Sequence, residues 1–339
     1  MMAGFSILLA AATIAFPGAQ PQLAALGNRL YLVFGHGNVI SVAESTNGGE
    51  TFGTPSTLPV PGKLSLGMHR GPRIAATRNA VLVAAVAGAQ GGGADGDVLL
   101  FRSTDRGRTW TTPVAVNDVP GSAREGLHAL AATPSGLVVV AWLDLREKGT
   151  RIYAAVSRDH GATWTPDSLV YASPSGAVCE CCHPSVAIST DGRVAIMFRN
   201  SLAGQRDMYL AESKDGVTFS PARKLGMNSW TLNACPMDGG AVAFNAEGVV
   251  STWRREGDVF LTTDRVPERR LGAGRDPVVA QFQNHQDVAW SAPDGVVLER
   301  GGVPMTLGPG RFPSIVSLRN RTVVAWEHDG QVMVRAIPR

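Results

Sequence analysis

The chain has 339 residues, 44% of them hydrophobic and 17% charged, which allows a large core and excludes wholesale disorder. With 39 Gly and 21 Pro, a turn signal falls about every six residues, too dense for a helical bundle, a coiled coil or a bundle of membrane helices. The 31 basic and 28 acidic residues leave a net charge of +3, too small for a nucleic-acid or membrane-surface protein, so no nucleic-acid partner is expected. Only four basic residues are Lys, at 63, 148, 214 and 224. At the N-terminus, residues 1–12 read MMAGFSILLAAA. This apolar run ends in small residues and predicts a signal peptide cleaved near Ala12, although its basic flank is missing. Export to the periplasm or the medium follows. The run is too short to span a bilayer, even extended through Phe16. Residues 13–339 are expected to form a single domain.

Further along, one octapeptide pattern recurs. Ser103 to Trp110 and Ser157 to Trp164 both read S-x-D-x-G-x-T-W, and Ser45 to Phe52 is the same with Asn47 and Phe52 in the acidic and aromatic places. A shortened copy runs from Ser213 through Asp215 and Gly216 to Phe219. The copies start 58, 54 and 56 residues apart. Each is a turn in which Asp or Asn holds local N–H groups, Gly accepts positive φ and the aromatic packs inward.

These octapeptides resemble the Asp-box (BNR) repeats of the sialidase superfamily. The resemblance covers nearly the whole chain and implies an all-β fold, a β-propeller with the box between the third and fourth strands of a blade. Reading outward from the boxes predicts innermost strands at residues 21–26, 72–76, 127–132, 184–188, 241–244, 277–282 and 313–318. Second strands follow as LYLVF, VLVAAV, LVVVAW, VAIMF, VVSTW, DVAW and TVVAW. That makes seven blades, with six as the alternative count, and the last three lack the box. The last blade supplies only three strands before Arg339, so the segment Thr13–Phe16 is expected to complete it and close the ring.

In such a ring the boxes mark one face, and function is expected on the other, where the inter-blade loops surround the channel mouth. Five of the seven histidines (His36, His69, His128, His183 and His328) fall in or beside loops of that face. All four cysteines lie in two adjacent inter-blade loops, Cys179-Glu-Cys181-Cys182-His183 and Cys235-Pro-Met237-Asp238. One reading is structural disulfides. Vicinal Cys181 and Cys182 would be strained if bonded to each other, so one would pair with Cys179 and the other with Cys235. The other reading is a soft-metal site of Cys179, Cys181, Cys182, His183, Cys235, Met237, His69 and His128, with copper favoured over zinc because thiolate and thioether are soft ligands. A thiol redox site is the third possibility.

Arg70, Arg73, Arg124, Arg275 and Arg311 flank the same loops, and the resemblance implies an arginine triad for a substrate carboxylate. It also implies a Tyr nucleophile in a late blade, where this chain has none; its tyrosines are Tyr31, Tyr153, Tyr171 and Tyr209. Carboxylates near the mouth are Glu125, Asp144, Asp207, Asp238, Asp276 and Glu327. If the mouth is catalytic, Arg70, Arg124, Glu125 and Asp238 are the candidates. Two functions therefore stand: an exported propeller binding copper for redox or metal handling, or a glycoside hydrolase or carbohydrate binder. A scaffold stapled by disulfides is the third. The expected partner is a metal ion, small molecule or glycan at the channel mouth of a monomer.

Overall fold

The computed structural model describes residues 13–339; the expected signal peptide lies outside them. Seven antiparallel sheets follow one another along the chain, six numbered blades each built from consecutive strands and a seventh completed by the N-terminus. Innermost strands run Ala19–Leu26, Arg73–Ala76, His128–Ala132, Ser185–Ile188, Ala241–Asn245, Arg275–Phe282 and Arg311–Ser317. Each lies within two residues of its expected start. The second blade carries one unforeseen piece, the short strand Lys63–Leu64, which pairs with the end of Val81–Gly88.

The second strands are continuous apolar runs because both of their faces are covered. In Val81–Gly88, residues Val81, Val83, Ala85 and Ala87 pack towards the first blade. The alternate residues Leu82, Ala84 and Val86 pack towards the third. Side chains alternate across a strand, so a blade sandwiched between two others needs apolar residues at every position. The third blade repeats this, with Val138, Val140 and Trp142 on one side and Val139, Ala141 and Leu143 on the other.

Ring closure is by the N-terminal strand Ile14–Pro17, antiparallel to Gln331–Pro338 with Ile14 opposite Val334 and Phe16 opposite Val332. The ladder of the last blade thereby gains its fourth strand, and its edge is covered.

The four boxes share one hydrogen-bond pattern. In the second, the Gly107 N–H donates to Ser103 Oγ at 2.7 Å and the Thr109 N–H to Asp105 Oδ1 at 2.9 Å. Gly161 and Thr163 donate in the same way to Ser157 and Asp159. Hydrogen bonds from Thr163 and Ser157 pull Asp159 down to about 2, and the Thr218 and Val217 N–H groups do the same to Asp215. A depressed carboxylate stabilises the fold above its ordinary value of 3.8, and this contribution is lost as pH falls through the folded value. The melting-temperature gap between the protein and its Asp159→Asn variant is therefore expected to be constant at neutral pH and to close between about pH 4 and pH 2. A gap that persists unchanged at pH 2 would contradict this.

The box aromatics depart from expectation. They are half-buried rather than enclosed: Trp110 lies over the core between the first two blades, and its indole N–H donates to Ser56 Oγ at 3.3 Å. Enclosed tryptophans sit instead at the ends of second strands, at Trp142, Trp253, Trp290 and Trp326. The last of these rests on Gly310, where an added Cβ would come within 2.4 Å of the indole, and its N–H donates to Pro309 O at 3.0 Å. In the sixth blade Trp290 stands on Gly274 in the same way, its N–H donating to Ala273 O at 3.2 Å.

Candidate functional site

The mouth of the channel is shaped by a repeated local irregularity. In the first, sixth and seventh blades the innermost strand starts with a bulge, after Ala19, Arg275 and Arg311. The residue in each bulge precedes a proline and adopts positive φ: Gln20 at 56°, Asp276 at 55° and Phe312 at 53°. Non-glycine residues held in the left-handed region cost about 1–3 kcal/mol each and persist only where the surroundings fix them. Met68, His69 and Met237, in the loops into the second and fifth blades, share this conformation. All six belong to the same rim.

His69 joins the blades. Its Nε2 lies 2.9 Å from Asp276 Oδ1, its ring stacks on His183 with centroids 4.3 Å apart, and it meets Phe312 edge-on at 4.7 Å. Loops of the second, fourth, sixth and seventh blades thus meet over the axis. Beneath them lies a cavity of about 180 Å³ lined by Gln20, His69, Arg73, His183, Asp276 and Phe312, with innermost-strand side chains behind. Burial, then the neighbouring His69 and Arg73, push His183 well below its ordinary 6.5, so its imidazole is neutral, and its Nδ1 has no hydrogen-bond partner.

Asp238 and Asp276 are both buried and linked, the Asp276 N–H donating to Asp238 Oδ2 at 3.0 Å. Burial and the nearby Asp276 raise Asp238, whose Oδ1 has no partner. Against the effect of burial, the hydrogen bond from His69 and the charge of Arg275 hold Asp276 down.

Of the two expected disulfides one is present, and the expected bond between Cys179 and a vicinal cysteine is not formed. Cys181 is bonded to Cys235, stapling the loops into the fourth and fifth blades, while Cys179 and Cys182 are free and buried. The Cys179 Sγ lies 2.7 Å from that of Cys182 and 3.7 Å from that of Cys181, and the Cys181 and Cys182 sulfurs are 3.9 Å apart. The hydrogen bond from Cys182 lowers Cys179 to about 7, and burial raises Cys182. Met68 and Met237 line a neighbouring groove of about 270 Å³ with Arg275, Asp276, Arg311 and Phe312.

Of the eight expected metal ligands, His128 does not reach the mouth. It is fully buried between blades, with Nδ1 3.3 Å from Gly126 O and Nε2 3.1 Å from Ala84 O, and burial lowers it to about 4. The bonded Cys181 and Cys235 offer no thiolates while their disulfide stands. His36 and His285 are exposed at strand ends, and His160 bonds to Thr77 and Asn79 of the adjacent blade.

The arginines do not form a triad. Arg73 donates to the carbonyl oxygens of His69, Gly71, Pro72 and His128, and Arg70 donates to Glu125 O at 2.6 Å. Arg124 is exposed, Arg275 pairs with Asp276 and Arg311 with Glu327. Asp144 is taken by Trp142 and Arg146, and Asp207 by the Trp230 N–H. Sequence reasoning missed Phe312 and the His69–Asp276 contact. The available signal was the recurring X-Pro step at Gln20, Gly71, His183, Asp276 and Phe312, which marks the residues aimed at the axis.

A closed seven-bladed ring with Asp-box turns and a rim of inter-blade loops defines a sialidase-superfamily β-propeller. Residues 40–301 match the BNR repeat-like domain, and the chain belongs to that family. Among solved structures it is similar to an α-L-arabinanase of Penicillium chrysogenum complexed with arabinobiose, at 13% identity and a TM-score of 0.57 over 95% of this chain and 93% of that one. It is also similar to an ulvan lyase bound to its saccharide, at 8% identity and 0.58 over 95% and 94%. A Hadza microbial sialidase matches at 14% identity and 0.52 over 93% of this chain and 74% of that one. At such identities the likeness is one of fold. Comparison with curated proteins finds no match. Among the described residues, no helix is long and apolar enough to cross a membrane.

Proposed function

We propose that this propeller is exported to the periplasm or medium and works through the sulfur- and imidazole-rich rim of its channel, which takes up a soft metal ion, copper(I) before zinc, for redox or metal handling. One observation carries the reading: the ligand atoms of Cys179, Cys181 and Cys182 all lie within 4.8 Å of one another, in the loop that also presents His183. Cys179 and Cys182 form a soft pair of sulfur donors, and Cu(I) accepts two or three ligands where zinc requires four. Reduction of the Cys181–Cys235 bond would add two thiolates. The loop-to-loop disulfide supports the exported location, since such bonds persist in oxidising compartments.

The test is a titration of untagged protein with Cu(I) in competition with bicinchoninate, alongside elemental analysis of protein purified without chelators. One tightly held equivalent is expected, and its loss in Cys182→Ser. Complete retention of copper by bicinchoninate would remove the reading.

A second reading, glycan binding or hydrolysis, is supported by the Asp238 and Asp276 pair, whose surroundings drive their acidities apart as in acid–base carboxylates, and by the saccharide ligands of the arabinanase and ulvan lyase. Of that pair only Asp276 lines the cavity, which it shares with His69, His183 and Phe312 and which holds about 180 Å³, and this favours the metal.

A further inference from the structure

We propose that the four cysteines form a thiol–disulfide relay, in which the buried Cys179 and Cys182 supply two electrons to reduce an external disulfide through the exposed Cys235. The reactive parts are already adjacent. A disulfide between Cys181 and Cys235 has one sulfur on an exposed residue of the rim and the other on a half-buried residue facing two free thiols. The Cys179 sulfur stands 3.7 Å from the bonded Cys181 sulfur and 2.7 Å from that of Cys182.

The relay balances without any added oxidant until the external disulfide enters. In the first step the Cys179 thiolate attacks Cys181 Sγ; a Cys179–Cys181 bond forms, the Cys181–Cys235 bond breaks, and Cys235 leaves as a thiolate at the surface. In the second, Cys182 gives up its proton and attacks Cys179 Sγ. A Cys179–Cys182 bond forms and Cys181 departs as a thiolate. The protein still holds one disulfide and two thiols, but the disulfide has moved inward. An external disulfide R–S–S–R is then attacked by Cys235, which releases one R–S⁻ and leaves a mixed disulfide. Cys181 attacks the Cys235 sulfur of that mixed disulfide, restores the Cys181–Cys235 bond and expels the second R–S⁻. The two thiolates take up the two protons that Cys179 and Cys182 lost. Direct attack by Cys182 on Cys181 is disfavoured because it would make a vicinal disulfide, whose Cα separation of about 3.8 Å lies below the usual range. This leaves Cys179 as the nucleophile. The relay does not depend on the metal reading, because it needs only the disulfide and the neighbouring thiols.

Oxidised glutathione is a suitable probe, with a chelator present so that metal binding and its failure play no part. After reaction, released glutathione is counted and the disulfides are mapped by mass spectrometry under acid quench. The unaltered protein is expected to release two equivalents of reduced glutathione and to end with Cys179–Cys182 and Cys181–Cys235 bonds. Cys182→Ser is expected to stop after one equivalent, with glutathione held on Cys235 and Cys179 bonded to Cys181. Cys179→Ser is expected to release none. No release from the unaltered protein would overturn the relay, and so would release from Cys179→Ser equal to that of the unaltered protein. Because the Cys182→Ser product names the attacking sulfur directly, the proposal stays testable if Cys179→Ser fails to fold.

Discussion

Replacing Trp142 with alanine is expected to destabilise the propeller by about 3–5 kcal/mol, the range for removing an enclosed large aromatic. Trp142 has no exposed surface, packs between the second and third blades, and donates its indole N–H to Asp144 Oδ2 at 2.8 Å. Alanine would leave a cavity and deprive a buried carboxylate of one donor, although Arg146 still holds that carboxylate. Trp110→Ala in the second box is expected to cost less, about 1.5–3 kcal/mol, since half-buried surface returns less transfer energy and leaves no closed cavity. Denaturant midpoints of both variants against the parent protein give the comparison. Equal losses would mean that the boxes are core elements, contrary to their position here.

Release of sialic acid from an aryl sialoside is expected to stay at the level of a buffer blank. A sialidase needs a phenolate nucleophile at the substrate's anomeric carbon, and the tyrosines here lie elsewhere. Tyr31 and Tyr153 are buried between blades, where Tyr153 packs under the Arg146 guanidinium at 4.0 Å. Tyr209 stacks with Phe198 in the fourth blade, and Tyr171 of the third blade lies tilted against Phe198, its Oη accepting a hydrogen bond from Asn200 at 2.9 Å. Electrostatic stabilisation by an arginine cluster is missing as well, because Arg73 and Arg70 are committed to backbone carbonyls. Turnover well above the blank, retained in Tyr171→Phe and Tyr209→Phe, would show that another nucleophile operates.

How the chain folds was legible because the relevant signals are local and repeated. The S-x-D-x-G-x-T-W turns are set by hydrogen bonds within eight residues, and a strand covered on both sides must be apolar throughout, as Val81–Gly88 is. Four boxes 54 to 58 residues apart and seven apolar runs therefore pointed to seven blades, with six as the alternative, and to ring closure by the segment Thr13–Phe16. Loop placement followed, so the sequence also located His69, His183 and the cysteines on one rim. Burial of the box aromatics was misjudged, because an aromatic in a turn reads the same whether it caps a core or enters it.

The tertiary structure alone decided which rim residues touch. His69 and Asp276 are 207 positions apart, and their contact depends on loops from opposite parts of the ring reaching a common axis. His128 shows the converse: one strand register turns its ring between two blades and away from the mouth. Cysteine pairing belongs to the same class, since Cys181 and Cys182, 54 and 53 positions from Cys235, were equal candidates for it. The tertiary structure bonds Cys181 to Cys235 and leaves Cys179 and Cys182 as thiols. Period and composition act over a few residues and are written along the chain, whereas side-chain convergence depends on the summed geometry of seven blades.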